Sequence, residues 1–351
     1  MEKYISFDSH KHYTLAERED VETFEIKQER IRHERGAIRD YLRDCSRGTA
    51  VAVEASGSYY WIVDEIEEAG CNPMLVHPRK AKLMMGMINK TDKLDVHGLN
   101  RLQRNQTLPT VWIPPAELRD LRELTRTRIV LVQQRTRLKN RVSATLTKYG
   151  LLVKGCSDVF GVKGQEELKK LMKQLPHETQ CVSQMLLEQT NYLTVQILVL
   201  EKRIEELVKM TPEMQRLMTL PGIGKILSST IMLEIGTIER FSDAERLASY
   251  SGTTPRVISS GDKTRYGHLR KDVNQYLKWA YSEAANTMAA NHLRCPDRHV
   301  SMLYKRVRHR KGHAVAVGAV ARHLAEATYY VLSRKQTYRD PKLRQCSTRE
   351  A

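Results

Sequence analysis

Residues 49–53, Thr-Ala-Val-Ala-Val, form a small, β-branched, uncharged run that ends on Glu54. Such a run does not alternate between apolar and polar residues, so it predicts a strand buried on both faces of a sheet. A glutamate at its C-terminal end is costly unless it is hydrogen-bonded or holds a metal ion. Residues 3–7 have the same strand character and deliver Asp8. Residues 11–15 and 21–26 predict two further short strands joined by a charged turn at 17–20, and 73–77 another strand. Helical spacing of Ile31, Ile38, Tyr41 and Leu42 predicts a helix within 27–44, and 58–69 a second. This order of elements predicts an α/β layered domain with helices on a mixed sheet. Sites in such sheets lie at the C-terminal strand ends, where both Asp8 and Glu54 fall.

Two more acids follow in Lys90-Thr91-Asp92-Lys93-Leu94-Asp95. The stretch predicts a helix start with Thr91 as N-cap. Aspartates three apart share one helix face, and hard oxygen ligands of this kind suit Mg²⁺. Taken alone, Asp92 could simply cap the helix while Asp95 faces water. Together, Asp8, Glu54, Asp92 and Asp95 are expected to form one metal site, to which the rest of the chain delivers nucleic acid.

The charge fits that expectation. The 351 residues contain 58 Lys plus Arg against 41 Asp plus Glu, a net charge of +17. An excess this large points to a polyanionic partner. No stretch approaches 18 uninterrupted apolar residues and no signal peptide opens the chain, so a membrane role is not expected. The six scattered cysteines contain no Cys-x-x-Cys pair, so neither zinc nor a disulfide framework is indicated and a cytoplasmic setting fits.

Trp112-Ile113-Pro114-Pro115 closes the first domain. Residues 117–149 predict a long helix rich in Arg and Lys, including Arg126, Arg137 and Arg141. It is either a solvated face or a helix that tracks phosphates. Residues 179–209 carry a seam of Leu186, Thr190, Leu193, Ile197, Leu200, Ile204 and Leu207 in alternating steps of four and three. This is coiled-coil spacing, able to pair with the preceding helix or with another subunit. Leu220-Pro221-Gly222-Ile223-Gly224-Lys225 before an apolar helix resembles a helix-hairpin-helix, whose glycines let backbone N–H groups approach a phosphate. The alternative is a plain turn with glycine at a tight corner. Residues 251–262 predict an irregular polar loop, followed by the basic residues Lys263, Arg265, His268, Arg270 and Lys271. Helices are predicted near 271–289, 298–310 and 313–334.

These motifs, taken in order, resemble the transposases of the IS-one-ten insertion-sequence family. The resemblance rests on the N-terminal Asp, the strand ending Val-Glu-Ala-Ser-Gly, Lys-Thr-Asp-x-x-Asp, Leu-Pro-Gly-Ile-Gly, Arg-Phe-Ser, Tyr-x-Gly-x-x-Pro and Ser-Gly, and spans about residues 1–335. It implies an N-terminal RuvC-like domain of RNase-H fold over 1–114, with Asp8, Glu54, Asp92 and Asp95 as its acidic tetrad. It also implies a helical coiled-coil arm over 115–210. A mainly α C-terminal transposase domain over 211–338, with the helix-hairpin-helix, and a polar tail over 339–351 complete the chain. The nucleophilic serine falls on Ser260, beside Ser259; Ser251 is a weaker match. The family's Lys-x-Gly-Asn is replaced by Lys271-Asp272-Val273-Asn274, and Lys278 stands where an arginine is usual.

The function implied is cutting and rejoining of donor and target DNA through a phosphoserine intermediate with Mg²⁺. A structured guide (bridge) RNA and a homo-oligomer, dimer or tetramer, are implied as partners, in a prokaryotic, nucleoid-associated setting. Gly222, Gly224, Lys225, Lys263, Arg265, Arg270, Lys271, Arg126, Arg137 and Arg141 are the expected nucleic-acid contacts. Two other readings remain open on the residues alone. One is a metal-dependent, resolvase-like nuclease in which water attacks; the other is a non-catalytic nucleic-acid binder.

Overall fold

The structure, a computed structural model, describes residues 3–86, 91–156, 158–261, 263–270 and 272–341, with backbone only for Lys263 and His268. The chain divides into two compact units, Met1–Pro114 and Pro115–Ala351.

The first unit is built on a five-stranded mixed sheet in the order β3-β2-β1-β4-β5. β1 (Lys3–Ser9), β2 (Tyr13–Asp20) and β3 (Ile26–Arg32) form an antiparallel meander. A short helix α1 (Ala37–Tyr41) leads to β4 (Ala50–Glu54), which lies parallel to β1. Helix α2 (Tyr59–Glu68) crosses to β5 (Asn72–Val76), parallel to β4. Helices α3 (Pro78–Met85) and α4 (Asp92–Arg104) complete the unit. β4 is buried from Ala50 to Val53, as its uncharged run requires. The core on one side gathers Ile5, Phe7, Val51, Val53, Ile62 and Ile66, and the other face packs Ala52 and Val76 against Leu99 and Leu102 of α4.

Two expectations fail here for one reason. The charged segment 17–20 is strand, not turn, and the turn lies beyond it; residues 26–32 are strand rather than helix. Glu17 and Glu19 point inward, at 0% and 3% exposure. Glu17 accepts hydrogen bonds from Asn100 Nδ2 (3.0 Å) and Gln28 Nε2 (2.7 Å) and lies 3.0 Å from His97 Nδ1, while Arg104 donates to Glu19 (2.8 Å). Polar partners on α4 and β3 therefore make acidic strand positions tenable inside the fold.

The second unit opens with α5 (Ala116–Lys148), followed by α6 (Val162–Met172) and α7 (His177–Leu207). α5 and α7 pair antiparallel, with Arg128 on Glu201 and Arg135 Nη1 donating to Thr194 Oγ1 at 3.4 Å. Ser183, Leu187, Thr190, Leu193, Ile197 and Ile204 form the buried seam of α7. A second row, including Val182, Met185, Tyr192, Val195 and Val199, is exposed.

Then come α8 (Pro212–Leu217), α9 (Lys225–Ile235) and α10 (Ala244–Tyr250). The expected polar loop is instead a two-stranded hairpin of β6 (Pro255–Ser260) and β7 (Lys263–Leu269). Its residues are mostly exposed, so no buried face marks it in the sequence. Helices α11 (Gln275–Asn291), α12 (His299–Lys311) and α13 (His313–Ser333) close the unit. The small residues of α13, Ala316, Val320, Ala321 and Ala325, are buried in the main core. The five described cysteines are free, and no helix among the described residues is long and apolar enough to cross a membrane.

Candidate active site and nucleic-acid surfaces

Parallel pairing of β1 with β4 brings Asp8 and Glu54 to the same end of the sheet. α4 supplies the other two acids. Thr91 caps it, its hydroxyl accepting from Leu94 N–H at 3.3 Å, which places Asp92 and Asp95 in the first turn. Ser6 Oγ donates to the Val96 carbonyl at 2.9 Å, and the Glu17 bonds fix the next turn. The helix start is thus held over β1. Asp8, Glu54, Asp92 and Asp95 line one cavity of about 490 Å³, together with His10, Arg79 and Lys82.

His10 joins the acids, although nothing in the sequence alone singles it out. Its Nε2 lies 3.2 Å from Asp8 Oδ2 and 3.3 Å from Asp92 Oδ2, without an aligned hydrogen bond to either. The available signal is its spacing: two residues beyond Asp8 along an extended chain is the same face. Tyr13 supports the group. Its hydroxyl donates to Asp92 Oδ2 at 3.0 Å, its ring stacks on His10 at 4.6 Å, and the Arg30 guanidinium sits 3.5 Å over that ring. His97, by contrast, faces Glu17 and has a structural role.

Burial pushes the Asp8 carboxyl above its usual range, His10 opposes this, and Asp95 and Asp92 add to it. A buried carboxylate beside two others favours a cation in the group. One ligand atom from each of Asp8, His10 and Asp92 falls within a 4.8 Å sphere of mutual separation, and Glu54 and Asp95 line the same space. Carboxylate oxygens with one imidazole suit a divalent ion.

The remaining expected contacts separate into groups. Ser260 ends β6 opposite Lys263 across a tight turn in which Gly261 has φ +55°. Pairing of Ile258 with Arg265 puts Ser260 and Arg265 on one face, while Ser259 sits on the other, 3.4 Å from the Thr264 hydroxyl. Ser251 is buried and donates to the Leu247 carbonyl at 2.7 Å, so it is not available to a substrate. Arg137, Arg141 and Lys225 are exposed. Arg270 is paired with Asp272 at 2.9 Å. Lys271 and the Lys263 side chain lie outside the described residues.

One expectation is corrected. Arg126 is not on an open phosphate-tracking face. It makes a two-pronged ion pair with the fully buried Glu234, Nε to Oε1 at 2.7 Å and Nη2 to Oε2 at 2.9 Å, and packs on the Tyr276 ring. Asn274 Nδ2 also donates to Glu234, at 2.8 Å. The buried Arg122 donates to the Leu233 and Glu234 carbonyls at the end of α9. Gly222 is required by packing: with φ +79°, a Cβ there would meet the Ala284 carbonyl oxygen at 2.5 Å. Gly224, the N-cap of α9, borders open space.

An acid cluster at strand ends, joined to a basic helical unit, defines an enzyme that works on nucleic-acid strands. Comparison with known proteins gives the particular family. A DEDD IS110 profile, described as transposase, matches residues 6–151, and one described as "Transposase IS116/IS110/IS902 family" matches 214–300. The chain belongs to this family of insertion-sequence transposases. It is 27% identical to a "Probable family 20 transposase" of Pseudomonas aeruginosa, over 87% of this chain and 90% of that one. It is 24% identical to the "Transposase for insertion sequence element IS1111A" of Coxiella burnetii, over 83% and 79% of the two chains. A "Pilin gene-inverting protein" of Moraxella bovis is 26% identical over 60% of this chain and 57% of its own. The family uses divalent metal, and the acid group above is where this chain can hold it.

Proposed function

We propose that this transposase cuts and rejoins DNA with Ser260 as nucleophile and Mg²⁺ held by Asp8, Glu54, Asp92 and Asp95, with His10 as a fifth donor. One observation carries the metal site in this reading: all four acids, distant in sequence, line a single cavity at the ends of β1 and β4. The strand order 3-2-1-4-5 fits an RuvC-like, RNase-H architecture for residues 1–114. When bound, divalent ions in such a site neutralise non-bridging phosphate oxygens and stabilise the leaving oxygen. Ser260 Oγ attacks phosphorus, the bond to the leaving strand oxygen breaks, and the serine proton ends on that oxygen. The phosphoserine keeps the bond energy for rejoining, so no ATP is consumed. Arg265, on the face of Ser260, is placed to offset charge in the transition state.

The paired α5 and α7 serve as the coiled-coil arm of 115–210, and 211–338 as the transposase domain with its helix-hairpin-helix at Gly222 and Gly224. The exposed row on α7 supports a homo-oligomer, since apolar side chains at helical spacing stay unburied within one chain. The net charge of +17 agrees with DNA and a guide RNA as partners, in a bacterial nucleoid setting.

The test is covalent capture. Wild type and Ser259→Ala are expected to yield a protein–DNA adduct with Mg²⁺, and Ser260→Ala none, with DNA binding retained. Full Mg²⁺-dependent cleavage by Ser260→Ala would instead establish a hydrolytic nuclease, for which the acid cavity of the first unit would suffice.

Tyr13 gives a second test. Tyr13→Phe keeps the ring against His10 and Arg30 but removes the bond to Asp92. Outer partners of metal ligands typically contribute about 10–100-fold in affinity. A rise of roughly tenfold in the Mn²⁺ dissociation constant is expected, read from the free-ion electron paramagnetic resonance signal. An unchanged constant would rule out this supporting role.

A further inference from the structure

The corner between α12 and α13 carries a concentration of charge that the acid site and Ser260 leave unexplained. Lys305, Arg306, Arg308, Arg310 and Lys311 fall within the last two turns of α12, all exposed. No Asp or Glu occurs between Asp297 and Glu326. Among the described residues none of the five forms an ion pair, and only Arg308 has a described partner, the Tyr304 ring at 5.8 Å. Both family matches stop before this segment.

The corner projects. α12 is anchored at its start by buried Val300, Ser301 and Tyr304, and Tyr304 OH meets His313 Nδ1 at 2.8 Å. Beyond Tyr304 every residue to Val315 is exposed except the half-buried Val307. A few cations at a helix C-terminus are favourable for its dipole, but the effect fades beyond the last turn. Five like charges over two turns repel one another more than the dipole requires. Successive helical residues turn by roughly 100°, so Arg306 and Arg308 point to opposite sides. A helix with its side chains is about 10–12 Å across, close to the roughly 12 Å major groove of B-DNA.

Its position links it to the hairpin of Ser260. The first turns of α13, Ala314, Val315, Gly318 and Ala319, face Thr253, Pro255, Gly267 and Leu269 at the hairpin root across a groove of about 450 Å³. The start of α13, which follows the basic corner directly in the chain, and the hairpin root thus line the same groove, with Arg322 as its cation.

We propose that the α12–α13 corner is a sequence-independent grip on duplex DNA. Its cations reach the phosphates on both walls of a groove and hold the DNA beside the Ser260 hairpin. The inference rests on DNA being the substrate but not on serine chemistry, because its readout is binding alone.

The experiment measures binding of the full-length protein to a 40-base-pair duplex of arbitrary sequence, by fluorescence anisotropy across a salt series. The variant replaces Lys305, Arg306, Arg308, Arg310 and Lys311 by glutamine; all five are exposed, and an unchanged melting temperature confirms its fold. Each lost phosphate contact lowers the slope of log K against log salt by about 0.9. A slope smaller by roughly 3–4 and an affinity loss of more than about 100-fold near 0.1 M salt are expected. A charge-matched control replaces Lys154, Lys163, Lys169, Lys170 and Lys173, and should lose far less. Equal loss in the control would reduce the effect to bulk charge and overturn the proposal. Loss of affinity for a duplex RNA of the same length, with DNA binding intact, would overturn it in favour of an RNA surface. Failure of Ser260 to form an adduct would leave it standing.

Discussion

Asp8→Asn is expected to lower DNA strand cleavage on the order of 10³-fold while making the metal-free protein more stable. The loss follows from geometry. Asp8 is 7% exposed, lies 3.2 Å from His10 Nε2, and lines the cavity with the other three acids. Removing one preorganised electrostatic group from such a site commonly costs about 10²–10³ in rate, and losing a metal ligand belongs at the upper end. The gain has the opposite sign for a physical reason. Burial, with Asp95 and Asp92 nearby, raises the Asp8 pKa above 3.8, against the opposing pull of His10. The folded state therefore holds this proton more tightly than the unfolded chain. Its contribution to stability falls as pH rises from 3.8 through the raised value, and is unfavourable at neutral pH. Asparagine removes that charge. The expected result at pH 7 in a chelator is a higher melting temperature with almost no cleavage. Near pH 3 the stability difference should shrink. A variant that kept its cleavage rate would end the assignment of Asp8 to the active site.

Glu234→Ala is expected to destabilise the C-terminal unit by about 3–5 kcal/mol, the cost of breaking a buried pair and stranding its partner. Glu234 is fully buried and joins three helices: it sits on α9, Arg126 comes from α5, and Asn274 caps α11. For a unit of this size the loss corresponds to a melting temperature lower by roughly 6–20 °C. Glu234→Gln keeps an acceptor for Asn274 or Arg126 and should lose less. The measurement is thermal unfolding of both variants. A change under about 1 kcal/mol for Glu234→Ala would show that the network does not hold these helices together. A loss of the expected size means that any loss of DNA binding in Arg126→Ala traces to a disturbed fold rather than to a missing phosphate contact.

The legible parts of the sequence were those with local causes. Val51 and Val53 on one face and Ala52 on the other leave both sides of this strand apolar, so the sheet and the exit of Glu54 can be read directly. Thr91 announces a helix three residues before Leu94, and that fixes the register of Asp92 and Asp95. Glu17 and Glu19 could not be placed, because the groups that make them tolerable, Asn100 and Arg104, lie more than 80 residues away. Arg126 was misread in the same way: its partner Glu234 is 108 residues distant, so the helix looked like one unbroken positive face. The hairpin at 255–269 was missed because it buries little, and periodicity reports only what is buried. His10 was visible in principle, one strand period past Asp8, but a lone histidine beside an acid carries no signal until a third group arrives from α4.

Among the described residues the hairpin that bears Ser260 pairs only with itself, and it presents Val257, Ile258 and Tyr266 to solvent. A two-stranded ribbon of this kind has little stability of its own in water. Its shape is therefore borrowed from whatever it lies against. With Ser260 as the proposed nucleophile, the expected result is that a protease nicks this arm in the free protein and nicks it less once DNA is added. On that reading a protein outside the assembled complex lacks a fixed nucleophile.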